Sequence, residues 1–334
     1  METKLVSIDL AKKVFHLSVR DKHGKTLRKL RLRRSEMHSF FATLSPCVVA
    51  MEACGSAHYW ARSLRGYGHD VKLIAAHFVK PFVKSNKNDR NDAEAIAEAA
   101  SRPEMRYVAI KEVWQQEVRS LHKIRQRRVK AKVALMQELH GLLLEFGYAL
   151  PKGYRSLIAA VAEITSPDHI TEFSDAFKGV LVEMIDELKD IQARILKMDK
   201  QIAQVVKERP ICQELMKLDG VGVLTATAFV ATIGDPHVFK NGRMCSAYLG
   251  LVPRQHSTGG KHQLLGISKR GDVYLRTLLI HGARSVLYYS RSTSESEVRR
   301  WASKKEAERG TGKAIVAVAN KTARRMWRVM QEAA

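Results

Sequence analysis

Two aspartates three residues apart are the first candidates for chemistry in this sequence. Asp89 and Asp92 lie in the alanine-rich run from Asn86 to Ala99, whose composition predicts a helix. Residues i and i+3 lie on one face of a helix, so both carboxylates can reach one point beside the positive end of the helix dipole. Two ionised carboxylates repel each other there unless a cation, typically a divalent metal ion, lies between them. The alternative is that these residues cap the helix, because Asp and Asn are common at helix starts.

Two more acids belong to predicted strands. Asp9 lies in an otherwise apolar strand pattern, and Glu52 ends a short buried strand. A buried carboxylate without a partner is costly, so Asp9 needs either a hydrogen bond in a turn or a metal ion. Three strands followed by alternating helices and strands predict a mixed sheet flanked by helices. In such a sheet Asp9 and Glu52 lie near each other, and the final helix of this order brings Asp89 and Asp92 to the same edge.

Four carboxylates from three elements match the layout of RNase H-like, RuvC-type nucleases. In that layout the acids hold two Mg²⁺ ions about 4 Å apart, which activate the attacking oxygen and stabilise the leaving oxygen of phosphoryl transfer. The spacing alone leaves open whether these acids bind metal or serve as caps and turn residues.

The chain carries a large positive charge. Its 334 residues include 57 Lys and Arg against 34 Asp and Glu, for a net charge of +23. This charge predicts a nucleic-acid partner rather than an anionic membrane surface, because no lipid anchor or interfacial helix stands out. No apolar run approaches the roughly 20 residues of a membrane span. The alternative is a basic protein without such a partner. The sequence shows neither a signal-peptide pattern nor a C-x-x-C pair, which predicts a cytoplasmic protein without a structural zinc site or disulfide framework.

The middle of the chain predicts two long helices. Over 114–144 an apolar stripe is surrounded by basic residues, and between residues 111 and 132 there are eight Lys or Arg against two acids. This basic face either contacts phosphates or is a solvated coiled-coil surface; the candidate contacts are Arg125, Arg127, Arg128 and Lys130. Over 181–205 the apolar residues have the 3-4 spacing of a coiled coil, which predicts pairing with the first helix, self-association as a dimer or tetramer, or both. The stretch 147–166 is expected to be a looser link.

The C-terminal part contains several candidate phosphate contacts. Gly220 and Gly222 form a Gly-x-Gly turn into a helix, which either presents backbone N–H groups to phosphate, as in helix-hairpin-helix proteins, or is a plain hairpin turn. Ser257 and Thr258 are expected in a flexible Gly-rich loop, where a hydroxyl either attacks phosphate or binds it. The remaining basic candidates are Arg254, Lys261, Lys269, Arg270 and Arg276. The stretch 297–328, with ten Lys or Arg, three Glu and interleaved Trp301 and Trp327, is a further candidate nucleic-acid surface.

The motifs resemble those of one family. Ser7-Ile-Asp9-Leu-Ala-Lys, Met51-Glu52-Ala and Asn86-Lys-Asn-Asp89-Arg-Asn-Asp92-Ala are similar to the acidic motifs of the DEDD transposases of bacterial insertion sequences, whose N-terminal domain is RuvC-like. Gly250-Leu-Val-Pro-Arg, Ser257-Thr-Gly-Gly-Lys and Gly266-Ile-Ser-Lys-Arg-Gly resemble motifs of that family's C-terminal domain. The resemblance spans almost the whole chain, and the two sets of motifs occur in the family's order.

The resemblance implies a DNA recombinase that excises and inserts its own element, with a structured RNA from the element choosing the DNA sequences. It implies that Asp9, Glu52, Asp89 and Asp92 hold Mg²⁺, two ions per site with Mn²⁺ able to substitute, and that a serine forms a covalent bond to DNA. The serine carries over to Ser257. This chain departs from the family where Thr258 separates the serine from glycine; Thr258 and Ser246 are weaker candidates. A nucleoid-associated bacterial protein is expected.

The expected architecture is an RNase H-like α/β domain over 1–108, a helical coiled-coil and oligomerisation region over 109–208, and a mostly helical C-terminal domain over 209–334. The acids and Ser257 then meet by folding back or across a dimer. Two other functions stay open from the residues alone. One is a RuvC-like Mg²⁺-dependent junction or structure-specific endonuclease that uses water. The other is a non-catalytic basic nucleic-acid-binding protein, although four acids would weaken its binding to a polyanion.

Overall fold

The computed structural model describes residues 3–83, 89–169, 173–259, 261–290 and 296–333, with the backbone alone at residues 89, 90, 261 and 262. The predicted helix start at 86–88 therefore lies outside the described residues. The chain forms two compact units. Unit 1 comprises Met1–Gln116, Ala231–Val252 and Ala323–Ala334, and unit 2 comprises Glu117–Val230 and Pro253–Thr322. The predicted segments 1–108, 109–208 and 209–334 follow the order of the motifs and remain a prediction.

The predicted order of three strands followed by alternating helices and strands is confirmed. The elements up to residue 108 are β1 (Leu5–Asp9), β2 (Val14–Arg20), β3 (Thr26–Arg33), α1 (Met37–Thr43), β4 (Val48–Glu52), α2 (Ala57–Gly66), β5 (Asp70–Ile74), α3 (Ala76–Val79), α4 (Asp89–Ala100) and β6 (Tyr107–Val108). The strands form one sheet in the order β3-β2-β1-β4-β5-β6, in which β2 and β6 run antiparallel to the other four.

Both faces of this sheet are covered by helices, so the mixed α/β architecture expected from the sequence is present. On one face Ile8 and Met51 pack in a core with Phe41 of α1 and Trp60 of α2. On the other face Ala50 packs with residues of α4. Strands buried on both faces read as continuous apolar runs, which is why the central strands were recognisable in the sequence.

The remaining elements are α5 (Val113–Glu145), α6 (Tyr154–Ile164), α7 (Asp175–Glu208), α8 (Pro210–Met216), α9 (Val223–Ile233), α10 (Gly242–Tyr248), β7 (Pro253–Thr258), β8 (Lys261–Ile267), α11 (Val273–Ser290), α12 (Glu297–Arg309) and α13 (Thr311–Glu332). The C-terminal part is mostly helical, as expected. Within the described part of the chain, no helix is both long and apolar enough to cross a bilayer.

In unit 2 the two long helices, α5 and α7, pair with each other. Leu139 of α5 and Leu188 of α7 belong to one buried core, and Lys132 Nζ donates to Gln192 Oε1 at 2.9 Å. The predicted pairing of these helices is therefore confirmed within the chain. The expected looser link over 147–166 was wrong, because Leu157 and Val161 give α6 an apolar face that packs into the same core.

A chain of hydrogen bonds links α5, α9 and α11 inside unit 2. Thr227 Oγ1 donates to Val223 O at 2.7 Å, so it accepts from Nε2–H of buried His122 at 3.0 Å. Nδ1 of His122 then accepts from the Tyr274 hydroxyl at 2.9 Å, and that hydroxyl accepts from Arg125. Burial, together with the positive charge of Arg125, lowers the pKa of His122 to about 4. The network thus holds a neutral histidine.

The turn between α8 and α9 packs tightly against α11. Gly220 has φ +76°, and a Cβ built on it would lie 2.6 Å from Gly282 O. A Cβ on Gly282 would in turn overlap Gly220 O. Glycine at both positions allows the two backbones to approach this closely.

Trp327 belongs to the core of unit 1. It is 9% exposed, and its indole N–H donates to Pro236 O at 2.9 Å. Gly242 packs against its ring. The interpretation of Trp327 as part of a nucleic-acid surface was therefore wrong, because its ring is used to join α13 to residues 231–252.

Candidate active site

Asp9 and Glu52 end two neighbouring parallel strands. Ile8 of β1 pairs with Met51 of β4, so the acids that follow them lie at the same level of the sheet. Both side chains are half-buried. Burial and then the negative charges of Glu52 and Asp9 raise the pKa of the Cys54 thiol, so both carboxylates lie close enough to act on one small region. The predicted proximity of these two acids is present in the structure.

The first turn of α4 is held against β1 by a buried serine. Ser7 is fully buried, and its hydroxyl donates to Ala93 O at 2.6 Å. Ala93 directly follows Asp92, whose side chain is half-buried. Ser7 and Asp9 are two residues apart on one strand and therefore lie on the same face of the sheet. The hydrogen bond thus fixes the Asp92 backbone beside the end of β1.

The direction of α4 places its N-terminus at the acidic edge. Arg20 pairs with Leu5, the first residue of β1, and its Nη1 lies 3.5 Å from Glu98 Oε2 in the last turns of α4. The helix therefore runs antiparallel to β1. Its N-terminus, where Asp89 is the first residue, lies towards the end of β1 that carries Asp9. The Asp89 side chain is outside the described residues.

Ser257 lies in a β-hairpin rather than in the expected flexible loop. It pairs with His262, and Thr258 pairs with Lys261, so β7 and β8 form an antiparallel hairpin. Every residue of β7 is exposed. Gln255 Nε2 donates to Ser257 Oγ at 2.9 Å, as expected for neighbours i and i+2 on one face of a strand.

The three hydroxyl candidates differ in access. Ser257 and Thr258 are exposed near the tip of the hairpin. Ser246, in α10, is 1% exposed and donates to Arg243 O at 3.0 Å. It is therefore the least accessible of the three hydroxyls. Ser257 belongs to unit 2, whereas the four acids belong to unit 1.

Two family models match the chain. One, for DEDD-type IS110 proteins and described as "Transposase", matches residues 6–147. The other, described as "Transposase IS116/IS110/IS902 family", matches residues 212–299. The first match covers all four acids, and the second covers the Gly-x-Gly turn and the hairpin.

Full-length relatives give the same result. A probable family 20 transposase of Pseudomonas aeruginosa is 45% identical over 330 residues, which cover 99% of this chain and 97% of the relative. The transposase for insertion sequence element IS1111A of Coxiella burnetii is 43% identical, over 98% of this chain and 90% of the relative. The transposase for IS1328 of Yersinia enterocolitica is 38% identical, over 97% and 95%.

The chain belongs to the IS110/IS116 transposase family. The resemblance of its motifs to that family is thereby confirmed, and the protein is a DNA-recombining enzyme whose partner is DNA. This finding contradicts the non-catalytic interpretation.

The donor atoms at the acidic edge of the transposase suit a hard divalent cation. Asp9, Glu52 and Asp92 offer carboxylate oxygens, which Mg²⁺ and Mn²⁺ accept as ligands. Among the described side chains, no group of three His, Cys, Asp or Glu has the geometry of a metal site. The DEDD family suggests dependence on a divalent metal ion.

The candidate nucleic-acid contacts of the transposase occupy different environments. The exposed ones are Arg127, Lys130, Gly222, Arg254, Lys269 and Arg270. Arg125 and Arg128 are half-buried and bind α7, through Asp199 and the backbone O of Arg194. Arg276 is buried and donates to Arg270 O at 2.6 Å. Gly220 packs on α11, and only the backbone of Lys261 is described. Binding by these residues remains a prediction.

Sequence reasoning missed the residues that position the acids of the transposase. Ser7 and Arg20 hold α4 against the sheet through Ala93 and Glu98. The available signal was the small polar residue at position 7 between two apolar strand residues, because a buried hydroxyl in such a strand needs a partner.

Proposed function

We propose that the transposase excises and inserts insertion-sequence DNA through a covalent serine–DNA intermediate. The observation that supports this most is the acidic edge, where Asp9 and Glu52 end adjacent parallel strands beside the N-terminus of α4. In this proposal unit 1 has a RuvC-like, RNase H fold. Its sheet begins with the antiparallel strands β1, β2 and β3, continues with β4 and β5 parallel to β1, and carries acids at the ends of β1 and β4.

In the proposed mechanism Asp9, Glu52, Asp89 and Asp92 bind Mg²⁺, two ions per site, with Mn²⁺ able to substitute. The bound cation would neutralise phosphate charge and stabilise the oxygen on which negative charge develops. The carboxylates otherwise repel DNA, so they approach a phosphate only when a cation lies between them.

Ser257 is the proposed nucleophile. Its Oγ forms a bond to phosphorus while the bond from phosphorus to a deoxyribose oxygen breaks; the serine proton is lost and the departing oxygen takes one up. The N–H of Gln255 that points at Oγ orients the hydroxyl and leaves a lone pair for attack. Attack by a hydroxyl of another strand on the serine-bound phosphate then rejoins DNA and releases Ser257.

Recognition in this proposal is shared between the protein and an RNA. A structured RNA of the element pairs with donor and target DNA, as the family resemblance implies, and the exposed basic residues bind backbones without reading sequence. The net charge of +23 supports such non-specific contacts. We further propose that the protein acts in the bacterial cytoplasm at the nucleoid, as a dimer or tetramer, so that unit 2 of one copy can serve unit 1 of the same or another copy.

The deciding experiment looks for protein attached covalently to DNA. Purified protein is incubated with Mg²⁺, labelled DNA spanning the joined ends of the element, and RNA transcribed beside its gene. A denaturing gel then compares the wild type with Ser257→Ala and Thr258→Ala, after a mobility-shift assay has shown that all three bind. An adduct lost only in Ser257→Ala supports the proposal.

Three results would contradict it. An adduct lost only in Thr258→Ala would move the nucleophile by one residue. Strand cleavage without any adduct would support the water-using RuvC-like nuclease instead, with Ser257 as a phosphate ligand. Full activity without RNA would remove the guide from the proposal.

A further inference from the structure

Unit 1 contains an open groove of about 640 Å³ beside the acidic edge. Its cationic walls are Lys12 and Lys13, from the turn after β1, and Arg33 and Arg34, from the end of β3 and the residue after it. The two walls are joined, because Arg34 N donates to Lys13 O at 2.9 Å. The sheet therefore brings together basic residues that are about twenty positions apart in sequence.

The groove is positively charged. All four cationic side chains are exposed, and none forms an ion pair with a described residue. The nearest acid in sequence, Glu36, accepts a hydrogen bond from the backbone N of Arg33. The lining, as far as it is described, contains no carboxylate. Four cations without an ion pair to a described residue, placed around one groove, attract a chain of phosphates.

The floor of the groove is aromatic. Trp60 is 1% exposed and packs against His38, whose ring centroid lies 4.9 Å away. His38 is itself held between the hydroxyls of Tyr59 and Tyr67, at 3.3 and 3.0 Å. Tyr59 is 45% exposed at the groove. A fixed, exposed aromatic ring beside cations is the combination that binds single-stranded nucleic acid, because bases stack on the ring while phosphates contact the cations.

A cation–π contact at the groove supports this interpretation. The guanidinium of Arg34 lies 5.3 Å from the centroid of the Trp60 ring, so the plane of one cation is already paired with an aromatic face.

The groove lies at the same edge of the sheet as the acids, because Lys12 and Lys13 belong to the turn that joins the Asp9 end of β1 to β2. Lys12 and Lys13 follow Asp9 by three and four residues, and α2, which carries Tyr59, begins five residues after Glu52. We propose that the groove binds the single-stranded polynucleotide segment that adjoins the phosphate presented to the acids. The position of the reacting phosphate rests on the proposed function, whereas binding in the groove does not depend on catalysis.

The test measures binding by the full-length protein with fluorescence anisotropy. The probes are a 15-nucleotide oligo(dT), the matching oligo(U) and a 15-base-pair DNA duplex, each over a range of salt concentrations. The test variant Lys12→Gln/Lys13→Gln is compared with Lys22→Gln/Lys25→Gln. The control removes the same charge from exposed lysines at the β2–β3 turn, at the other end of the same strands.

We expect the test variant to bind single strands about tenfold more weakly, and its plot of log affinity against log salt to be shallower by about 1.4, for two lost phosphate contacts. Tyr59→Ala should weaken single-strand binding about fivefold or more without changing that slope, because stacking involves no counterion release. The control should change neither quantity by more than about twofold.

Equal losses in test and control, or a loss confined to the duplex, would overturn the proposal. A loss on oligo(dT) alone would assign the segment to the DNA strand, and a loss on oligo(U) alone would assign it to RNA. If the groove variants lose single-strand binding as expected but no covalent adduct forms, the proposed serine chemistry is refuted. The proposal that the groove binds single strands is then still supported.

Discussion

Acid should weaken unit 2 through one buried histidine. His122 is 3% exposed and accepts a hydrogen bond from Tyr274 on Nδ1, which an imidazolium would have to donate instead. Burial, with a further contribution from the positive charge of Arg125, lowers the pKa of His122 to about 4, although Asp272 and Asp199 oppose the shift. The unfolded chain, with a histidine pKa of 6.5, binds the proton first. Stability is therefore complete above pH 6.5 and falls as the pH decreases towards 4.

The size of the effect follows from the shift. With a folded pKa of about 4, His122 alone lowers the free energy of unfolding by about 2 kcal/mol between pH 7.5 and pH 5. Other groups titrate in this range, so the measurement is a comparison. Urea unfolding is followed by circular dichroism at pH 7.5, 6 and 5 for the wild type, for His122→Asn, and for His281→Asn as an exposed control in the same unit.

His122→Asn should be less stable than the wild type at pH 7.5, by about 1–3 kcal/mol for the broken network. Its stability should then fall less on acidification, by about 2 kcal/mol over the same range. His281→Asn should keep the wild-type dependence. If the wild type and His122→Asn lose the same free energy between pH 7.5 and pH 5, the neutral-histidine network does not operate.

Three further predictions use simpler readouts. Gly282→Ala should destabilise the protein by about 2 kcal/mol in thermal unfolding, because the new Cβ meets Gly220 O, whereas Gly222→Ala, which has open space, should unfold like the wild type. Mixing Asp92→Ala with Ser257→Ala should restore adduct formation if the site is shared between protomers, and no recovery would disfavour that arrangement. Chelation of divalent ions should abolish the adduct but not DNA binding, and Mg²⁺ or Mn²⁺ should restore it; an adduct formed in the chelator would contradict the metal assignment.

The acidic edge was predictable because each strand and helix that forms it follows from a local pattern in the sequence. The apolar runs ending at Asp9 and Glu52 define strands that are buried on both faces, and parallel strands place their ends together. The alanine-rich run after Asp89 likewise defines a helix. What the sequence does not show is which backbone atom fixes that helix, because the Ser7–Ala93 hydrogen bond joins residues 86 positions apart.

The hairpin that carries Ser257 was missed for a different reason. All residues of β7 are exposed, so the strand lacks the alternation of apolar and polar residues by which strands are recognised. The usable signal was the Gly259-Gly260 pair between two runs of extended-type residues, which is typical of a two-residue hairpin turn. The close approach of Gly220 and Gly282 had no comparable signal, because each glycine alone suggests only a turn or a helix break.

Unit 1 is assembled from three separate stretches of the chain, so the ribosome completes it only when the last stretch has been made. The sheet with its acids is complete after residue 116, but unit 1 also requires 231–252 and the stretch that brings Trp327 to Pro236. At ribosomal rates of 5–20 residues per second, roughly 10–40 s pass before that last stretch is made. A stop codon or frameshift just before residue 323 would leave Asp9, Glu52, Asp92 and Ser257 in the translated chain and still remove part of unit 1. A decayed copy of such a gene can therefore retain every catalytic motif and encode no working enzyme.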